Sequence, residues 1–140
     1  MKQLNHIILF CQQGKFELAR KELLELEQGQ ILNDDASFLM GSVLGQLGQF
    51  EEALAYYQKA IDLAPDKSQA YIGKTKALLL QGHTDEAESC YEQLIQRQPD
   101  SAEVVLQLAT ILLNHDQHEA AERRFLQALG LEEESETALC

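Results

Sequence analysis

The sequence has no tryptophan, only two prolines and few basic residues. Because proline ends or kinks a helix, its scarcity leaves room for long helical segments. Leucine, alanine, glutamate and glutamine are abundant instead, and their side chains lose little rotamer freedom in a helix. With 140 residues, 45% of them hydrophobic and 24% charged, the chain is long enough to bury its own core. The composition therefore predicts an all-α globular protein.

The shortage of positive charge excludes several partners. The chain has 11 lysine and arginine residues against 23 aspartate and glutamate residues, which gives a net charge of -12. Nucleic-acid phosphates and anionic membrane surfaces are bound mainly by basic side chains, so we expect no nucleic-acid and no membrane partner. The apolar run from Ile7 to Cys11 is too short for a signal-peptide core, and no run approaches the roughly 20 residues of a membrane span. We interpret the acidity as an aid to solubility.

Residues with catalytic or metal-binding chemistry are sparse. The three cysteines, Cys11, Cys90 and Cys140, lack metal or redox spacing, which predicts neither a disulfide framework nor a zinc site and favours a reducing cytoplasm. His115 and His118 lie three residues apart, but in a predicted turn where the pattern fixes no further ligand. Cys90 is expected to be a buried small residue, without a visible base, and no phosphate-binding glycine loop or serine-nucleophile motif occurs. We therefore predict a protein that is not an enzyme and needs no cofactor or metal.

A period of 34 residues runs through the chain. It is marked by Gly14, Gly48, Gly82 and Asp116, and the small residue five positions later repeats with it as Ala19, Ala53, Ala87 and Ala121. Four further columns keep the spacing: Leu23, Tyr57, Tyr91 and Phe125; Leu26, Ala60, Leu94 and Ala128; Phe10, Leu44, Leu78 and Leu112; Ile7, Gly41, Thr75 and Ala109. Agreement in six columns over four copies indicates internal repeats, which are typical of solenoids.

Each copy contains two apolar stretches of about 13 residues at helical spacing. A turn separates them, at a glycine that can adopt positive φ in three of the copies. Asp66 and Asp100 follow the two prolines and are expected to cap the next helix. We predict eight helices, at residues 2–13, 16–28, 34–46, 50–63, 67–80, 84–97, 101–114 and 118–130.

This pattern resembles the tetratricopeptide repeat (TPR), a helix–turn–helix unit of 34 residues with the spaced signature W..LG..Y, A...F, A and P. The second copy matches with Ser37, Met40, Gly41, Leu44, Ala53, Tyr57, Ala60 and Pro65, and lacks only the first large aromatic residue. The first copy is the weakest, and the fourth has Glu133 in place of proline. The resemblance implies a right-handed superhelical solenoid of four hairpins in a single domain. Its repeats are expected at 1–33, 34–67, 68–101 and 102–131, before an acidic tail at 132–140.

The tail has two interpretations, a frayed solvated end or the start of another element.

The solenoid itself implies a groove, since in TPR arrays the first helix of each pair lines a concave face that binds partners. We place the groove on the stripe beside the core stripe of the first helices. Its predicted residues are Leu4, Ile8, Phe38, Ser42, Ile72, Lys76, Leu79, Leu106, Thr110 and Leu113, with Cys11 and Gly45 at equivalent positions. The alternative for Ile72, Leu79 and Leu106 is simple packing between successive first helices.

The resemblance favours a scaffold or adaptor that binds a peptide or helical segment of a partner protein in this groove. Because the stripe is largely apolar, we expect an apolar or amphipathic segment. TPR domains that clamp a terminal carboxylate use lysine and asparagine on this stripe, whereas Lys76 is the only basic residue here, so the clamp is absent. Two alternatives stay open: the repeat region of a larger protein whose activity, for example that of a transferase, lies outside this chain, and a homodimer formed through the apolar fourth repeat or the groove.

Overall fold

The computed structural model describes the backbone of residues 2–139 and the side chains of residues 4–130, and this part of the chain contains helices and no strand. The helices are α1 (Lys2–Gln12), α2 (Phe16–Gly29), α3 (Asp34–Gln46), α4 (Phe50–Leu63), α5 (Ser68–Leu80), α6 (Thr84–Arg97), α7 (Ala102–Asn114) and α8 (His118–Leu139). The predicted all-α fold is confirmed. Seven helices agree with the predicted bounds to within one residue at each end.

The eighth helix is longer than expected. It was predicted to end at residue 130, but it continues as one helix of 22 residues to Leu139. Glu133 stands where the two preceding copies have a proline, so nothing in the sequence prevents the helix from continuing. Residues 132–139, predicted as a separate tail, thus continue the backbone of α8.

The helices pack as four hairpins in a row. The two helices of each hairpin contact each other, and each second helix also contacts the first helix of the next hairpin. Successive first helices touch as well, from α1 to α3, α3 to α5 and α5 to α7. Over residues 2–139, contacts join only neighbouring hairpins. This arrangement is that of a helical solenoid, in which each unit buries its apolar face against the next.

The four hairpin turns share one backbone conformation. Gly14, Gly48 and Gly82 have φ values of 75°, 79° and 80°, and Asp116 has a φ of 61°. The residue after each donates its N–H to the carbonyl five positions earlier, in the pairs Lys15–Phe10, Gln49–Leu44, His83–Leu78 and Gln117–Leu112, at 2.8 to 2.9 Å. This bond closes the helix end in a Schellman arrangement. In the described chain Asp116 is the one residue other than glycine at positive φ, a conformation that is strained for an L side chain.

Small residues allow close helix packing. The alanine column of Ala19, Ala53, Ala87 and Ala121 is at most 1% exposed. Between hairpins, the ring of Tyr57 from α4 lies against Gly41 of α3 and Gly73 of α5. A Cβ atom would lie 2.7 Å from Tyr57 Cδ1 if added to Gly41, and 2.5 Å from Cε1 if added to Gly73. Tyr57 therefore fills the space toward the neighbouring hairpin and requires a glycine on each side.

The helix caps differ from the prediction. Asn33 Oδ1 accepts a hydrogen bond from Ala36 N at 2.8 Å and caps α3, and Ser101 Oγ accepts one from Val104 N at 3.2 Å and caps α7. Lys67 precedes α5 without a capping side chain. The predicted capping by Asp66 and Asp100 is wrong because α5 and α7 each begin one residue later than expected, which leaves both aspartates one position outside the cap.

Candidate protein-binding groove

A cavity of about 800 Å³ extends along one face of the solenoid. Three first helices, α3, α5 and α7, form most of it, and α4 adds two aromatic residues. We call this cavity the groove. Its lining consists of Phe38, Ser42, Gly45, Gln46, Phe50, Tyr57, Ser68, Gln69, Ile72, Gly73, Lys76, Ala77, Leu80, Leu106, Gln107, Thr110 and Ile111.

The structure brings seven of the predicted stripe residues together in the groove. They are Phe38, Ser42, Gly45, Ile72, Lys76, Leu106 and Thr110. The others lie outside it. Leu4, Ile8 and Cys11 are on α1, which does not reach this cavity, and Leu113 is at the far end of α7, where it is 44% exposed. The groove thus spans the second, third and fourth hairpins.

Leu79 is a correction to the predicted stripe. It is 8% exposed and belongs to the core cluster that contains Val105 and Leu108 of α7. Leu80, by contrast, is 59% exposed and lines the groove. Leu79 and Leu80 lie three and four residues after Lys76, so the helical period places both near the side of α5 that carries Lys76. Packing against the residues of the core cluster covers Leu79 and leaves Leu80 exposed.

Sequence reasoning missed the contribution of the second helix. Tyr57 is 6% exposed, and its ring edge reaches the groove between Gly41 and Gly73. Its hydroxyl donates to Ser42 Oγ at 3.4 Å, and burial raises the pKa of Tyr57. The signal that could have revealed this was the pair of glycines on α3 and α5, since two facing positions without a side chain leave room for a ring. Phe50 carried no such signal.

The remaining missed residues flank the predicted stripe on the same three helices. They are Gln46, Ser68, Gln69, Gly73, Ala77, Leu80, Gln107 and Ile111. Exposed glutamines are among them, one on each helix: Gln46, Gln69 and Gln107. An amide side chain both donates and accepts hydrogen bonds, so these residues add polar partners to an otherwise apolar surface.

The groove differs in charge from the rest of the molecule. Its described lining holds one charged residue, Lys76, and no acidic residue. The four first helices carry three acidic and three basic residues, whereas the four second helices carry 17 acidic and six basic residues. The net negative charge therefore resides almost entirely on the second helices, and the groove is formed mainly by first helices, whose net charge is zero.

The other chemistry-bearing residues do not lie in the groove. Cys90 is 4% exposed, its Sγ donates to the Tyr71 carbonyl at 3.5 Å, and burial raises the pKa of its thiol. His115 and His118 lie at the turn of the fourth hairpin, where His118 Nε2 is 3.8 Å from Asp116 Oδ1. Among the described side chains, no three His, Cys, Asp or Glu residues form a group that could hold a metal ion. Likewise, no described helix is both long and apolar enough to span a membrane.

The sequence matches two family models, both described as tetratricopeptide repeat. One matches residues 46–100 and again 82–137, and the other matches residues 4–68. The chain therefore belongs to the tetratricopeptide repeat family. Members of this family are generally non-catalytic, and the fold is that of a protein–protein interaction module.

Solved structures show the same fold at low sequence identity. YrrB, described as a TPR protein with an unusual peptide-binding site, is 20% identical with a TM-score of 0.71 over 98% of this chain and 71% of its own. MamA from Desulfovibrio magneticus RS-1 is 22% identical, with a TM-score of 0.70 over 94% and 75%. A thermophilic TPR protein from Thermus thermophilus is 19% identical, with a TM-score of 0.72 over 94% and 74%. No curated protein matched the sequence.

Proposed function

We propose that this chain is an interaction module that holds an apolar or amphipathic segment of a partner protein in the groove. The observation that carries the proposal is the contrast between the groove and the remaining surface. In a chain with a net charge of -12, the described groove lining has no acidic residue. It exposes Leu80 and Leu106, which are 59% and 45% accessible. Contiguous apolar surface of this kind marks interaction sites on soluble domains.

The lining suggests how a segment is held. Apolar side chains of the guest pack against Phe38, Ile72 and Leu106, while the amides of Gln69 and Gln107 offer hydrogen bonds to its backbone. Lys76 accommodates a single acidic side chain of the guest. The acidic second helices disfavour the approach of strongly acidic segments. An affinity in the micromolar range, about -8 kcal/mol, is typical of a single segment in such a site.

Selection from a random peptide library tests this proposal. The wild type, Leu106→Glu and the control Leu18→Glu are compared, because both leucines are 45% exposed and Leu18 lies on α2 outside the groove. We expect the wild type and the control to retain the same peptides, with affinity falling about tenfold or more in Leu106→Glu. Affinity is measured by fluorescence anisotropy, after circular dichroism has shown unchanged helicity. Equal affinity in the groove variant, or no peptide retained by the wild type, would contradict the proposal.

A second candidate function is homodimerisation through the fourth hairpin. Leu113 and Leu129 are 44% and 55% exposed, although Leu79 and Ile95, 34 residues earlier, are 8% and 7% exposed. The fourth hairpin packs against the third and buries the earlier pair, and a second copy could cover the later pair. Sedimentation equilibrium over a range of concentrations tests this, with Leu129→Glu against Leu24→Glu on α2. A concentration-independent monomer would exclude the dimer.

A further inference from the structure

The first hairpin exposes an apolar position that the other three hairpins bury. Leu9 of α1 is 48% exposed. The residues in the same column of the 34-residue register are Val43, Ala77 and Ile111, which are 1%, 4% and 7% exposed. Each of these three lies on a first helix that packs against the preceding hairpin. Leu9 therefore lies on the surface that a preceding hairpin covers elsewhere in the array.

The fourth hairpin exposes the surface that a following hairpin covers elsewhere. Leu113 of α7 and Leu129 of α8 are exposed, whereas Leu79 and Ile95, one repeat earlier, are buried. In the third hairpin, α5 and α6 both pack against α7, the first helix of the fourth. The corresponding surface of the fourth hairpin has no covering helix in the described chain.

A contact inside the chain predicts how these two surfaces fit together. Leu79, Ile95 and Ile111 belong to one core cluster, which crosses the boundary between the third and fourth hairpins. One repeat later, the same register positions are Leu113, Leu129 and, in a second copy that continues the array, Leu9. All three are leucines, so a junction between two copies repeats an apolar contact that the fold already makes.

The charges favour this pairing over a symmetric one. Helix α1 contains Lys2 and no acidic residue, whereas α7 and α8 together contain seven acidic and two basic residues. Two copies that met through their fourth hairpins would bring two acidic surfaces together, which is unfavourable. Packing of the fourth hairpin on α1 avoids this repulsion and pairs helices of opposite net charge.

The second helices of neighbouring hairpins meet through side-chain pairs. Glu92 of α6 accepts a hydrogen bond from Arg124 of α8, and Glu27 Oε2 of α2 lies 4.0 Å from Lys59 Nζ of α4. In each pair the acidic residue belongs to the earlier hairpin. At the junction, leucines stand in place of the two glutamates: Leu126 and Leu129. The acidic α2 of the second copy therefore meets no like charge at these positions.

We propose that copies of this chain associate head to tail, with α7 and α8 of one copy packed on α1 of the next. This arrangement rests on the self-association described above as a second candidate function, and it adds which surface of the second copy covers the fourth hairpin. Because each copy uses two different surfaces, every added copy leaves one surface of each kind exposed. Assembly should therefore continue beyond the dimer as the concentration rises.

Sedimentation equilibrium of the 140-residue chain over a range of concentrations tests this arrangement. We expect the average mass to rise past that of a dimer. Leu9→Glu and Leu129→Glu should each raise the dissociation constant about tenfold or more, because each blocks one of the two surfaces. A mixture of the two variants should form dimers that grow no further, since each variant keeps the surface that the other has lost.

Leu18→Glu is the matched control and should leave the mass unchanged. Leu18 is 45% exposed, and its register position is occupied by Glu52 and Glu86 in the next two hairpins. Circular dichroism checks the folding of every variant, and Leu113→Glu, which blocks the same surface, replaces Leu129→Glu if the latter loses helicity. Leu9→Glu should not change peptide affinity, because Leu9 does not line the groove.

Two results would overturn head-to-tail association. A concentration-independent monomer would exclude it together with the symmetric homodimer. A mass that stops at the dimer, and that falls in Leu129→Glu but not in Leu9→Glu, would exclude head-to-tail association alone and leave the symmetric homodimer.

Discussion

The second and fourth hairpins share one 34-residue register but differ in what packs against them. The second hairpin lies between two neighbours, and Tyr57 and Ile61 are 6% and 7% exposed. The fourth has a neighbour on one side in the described chain, and Leu129, which corresponds to Ile61, is 55% exposed. Ala53 and Ala121 are nevertheless buried equally, at 0% and 1%. Burial within a hairpin is therefore set by the repeat itself, whereas burial between hairpins depends on position in the array.

The largest expected effect on stability comes from removing a contact between hairpins. Tyr57→Ala should destabilise the fold by about 3–5 kcal/mol, because it removes a ring enclosed by Gly41 and Gly73 and leaves a cavity. Phe125→Ala at the corresponding position should cost clearly less, since Phe125 is only partly buried. Urea unfolding followed by circular dichroism measures both. Equal losses would show that position in the array does not matter.

Overpacking the contact within a hairpin should destabilise the second and fourth hairpins by similar amounts. Ala53→Leu and Ala121→Leu each overpack the approach of the two helices of one hairpin, at about 1–3 kcal/mol. The expected difference between the two variants is small, because both alanines are almost fully buried. The same unfolding measurement decides this, with Ala55→Leu as an exposed control on α4. A loss of stability confined to Ala53→Leu would contradict the conclusion that the repeat itself sets burial within a hairpin.

Substitutions at two of the hairpin turns should change the stability of the fold in opposite directions. Asp116→Gly should stabilise the fold by about 0.5–1 kcal/mol, because glycine adopts the φ of 61° without the strain of a Cβ atom. Gly48→Asp should destabilise it, since Gly48 has a φ of 79°. Thermal unfolding of the two variants measures the effect. If Asp116→Gly proves no more stable, other interactions of the aspartate offset its backbone strain.

A pH-dependent effect concerns the contact between the first and second hairpins. Burial, together with the hydrogen bond to Glu27, raises the pKa of Tyr56 from its ordinary value of 10 to about 12. Between pH 10 and 12 the folded chain keeps a proton that the unfolded chain loses, so this residue contributes stability that decreases as the pH rises through that window. The titration of Tyr56 is measured as the difference in tyrosinate absorbance between the wild type and Tyr56→Phe as the pH is raised.

A matched variant isolates the cause of this shift. Glu27→Gln removes the neighbouring negative charge but leaves Tyr56 partly buried, so its pKa should move back toward 10 without reaching it. A pKa for Tyr56 that stays near 12 in Glu27→Gln would show that Glu27 does not cause the shift.

Much of the fold could be predicted because the repeat carries its own markers. The glycine and alanine columns fixed the turns and the helix faces, so seven helices were predicted to within one residue at each end. The end of helix α8 was not, because an end was placed at the repeat boundary although Glu133 stands there instead of the proline of the two preceding copies. The groove was predicted in part. Leu79 and Leu80 are adjacent in the sequence, and which of them is covered depends on tertiary packing, which the periodicity of the sequence does not specify.

Tyr57 shows a second reason why the groove could be predicted only in part. A stripe on the first helices cannot reveal that a ring from a second helix passes between two glycines and reaches the groove.

The unequal distribution of charge between the first and second helices should orient the molecule in an electric field or at a charged surface. Because the second helices carry 17 acidic and six basic residues and the first helices three of each, we expect the chain to have a permanent dipole directed between the two sets of helices. At an amine-coated surface it should adsorb through the second helices, with the groove facing the solution. Raising the salt concentration shortens the reach of this field to less than the width of a helix, at about 3 Å in 1 M salt, and the preferred orientation should then disappear.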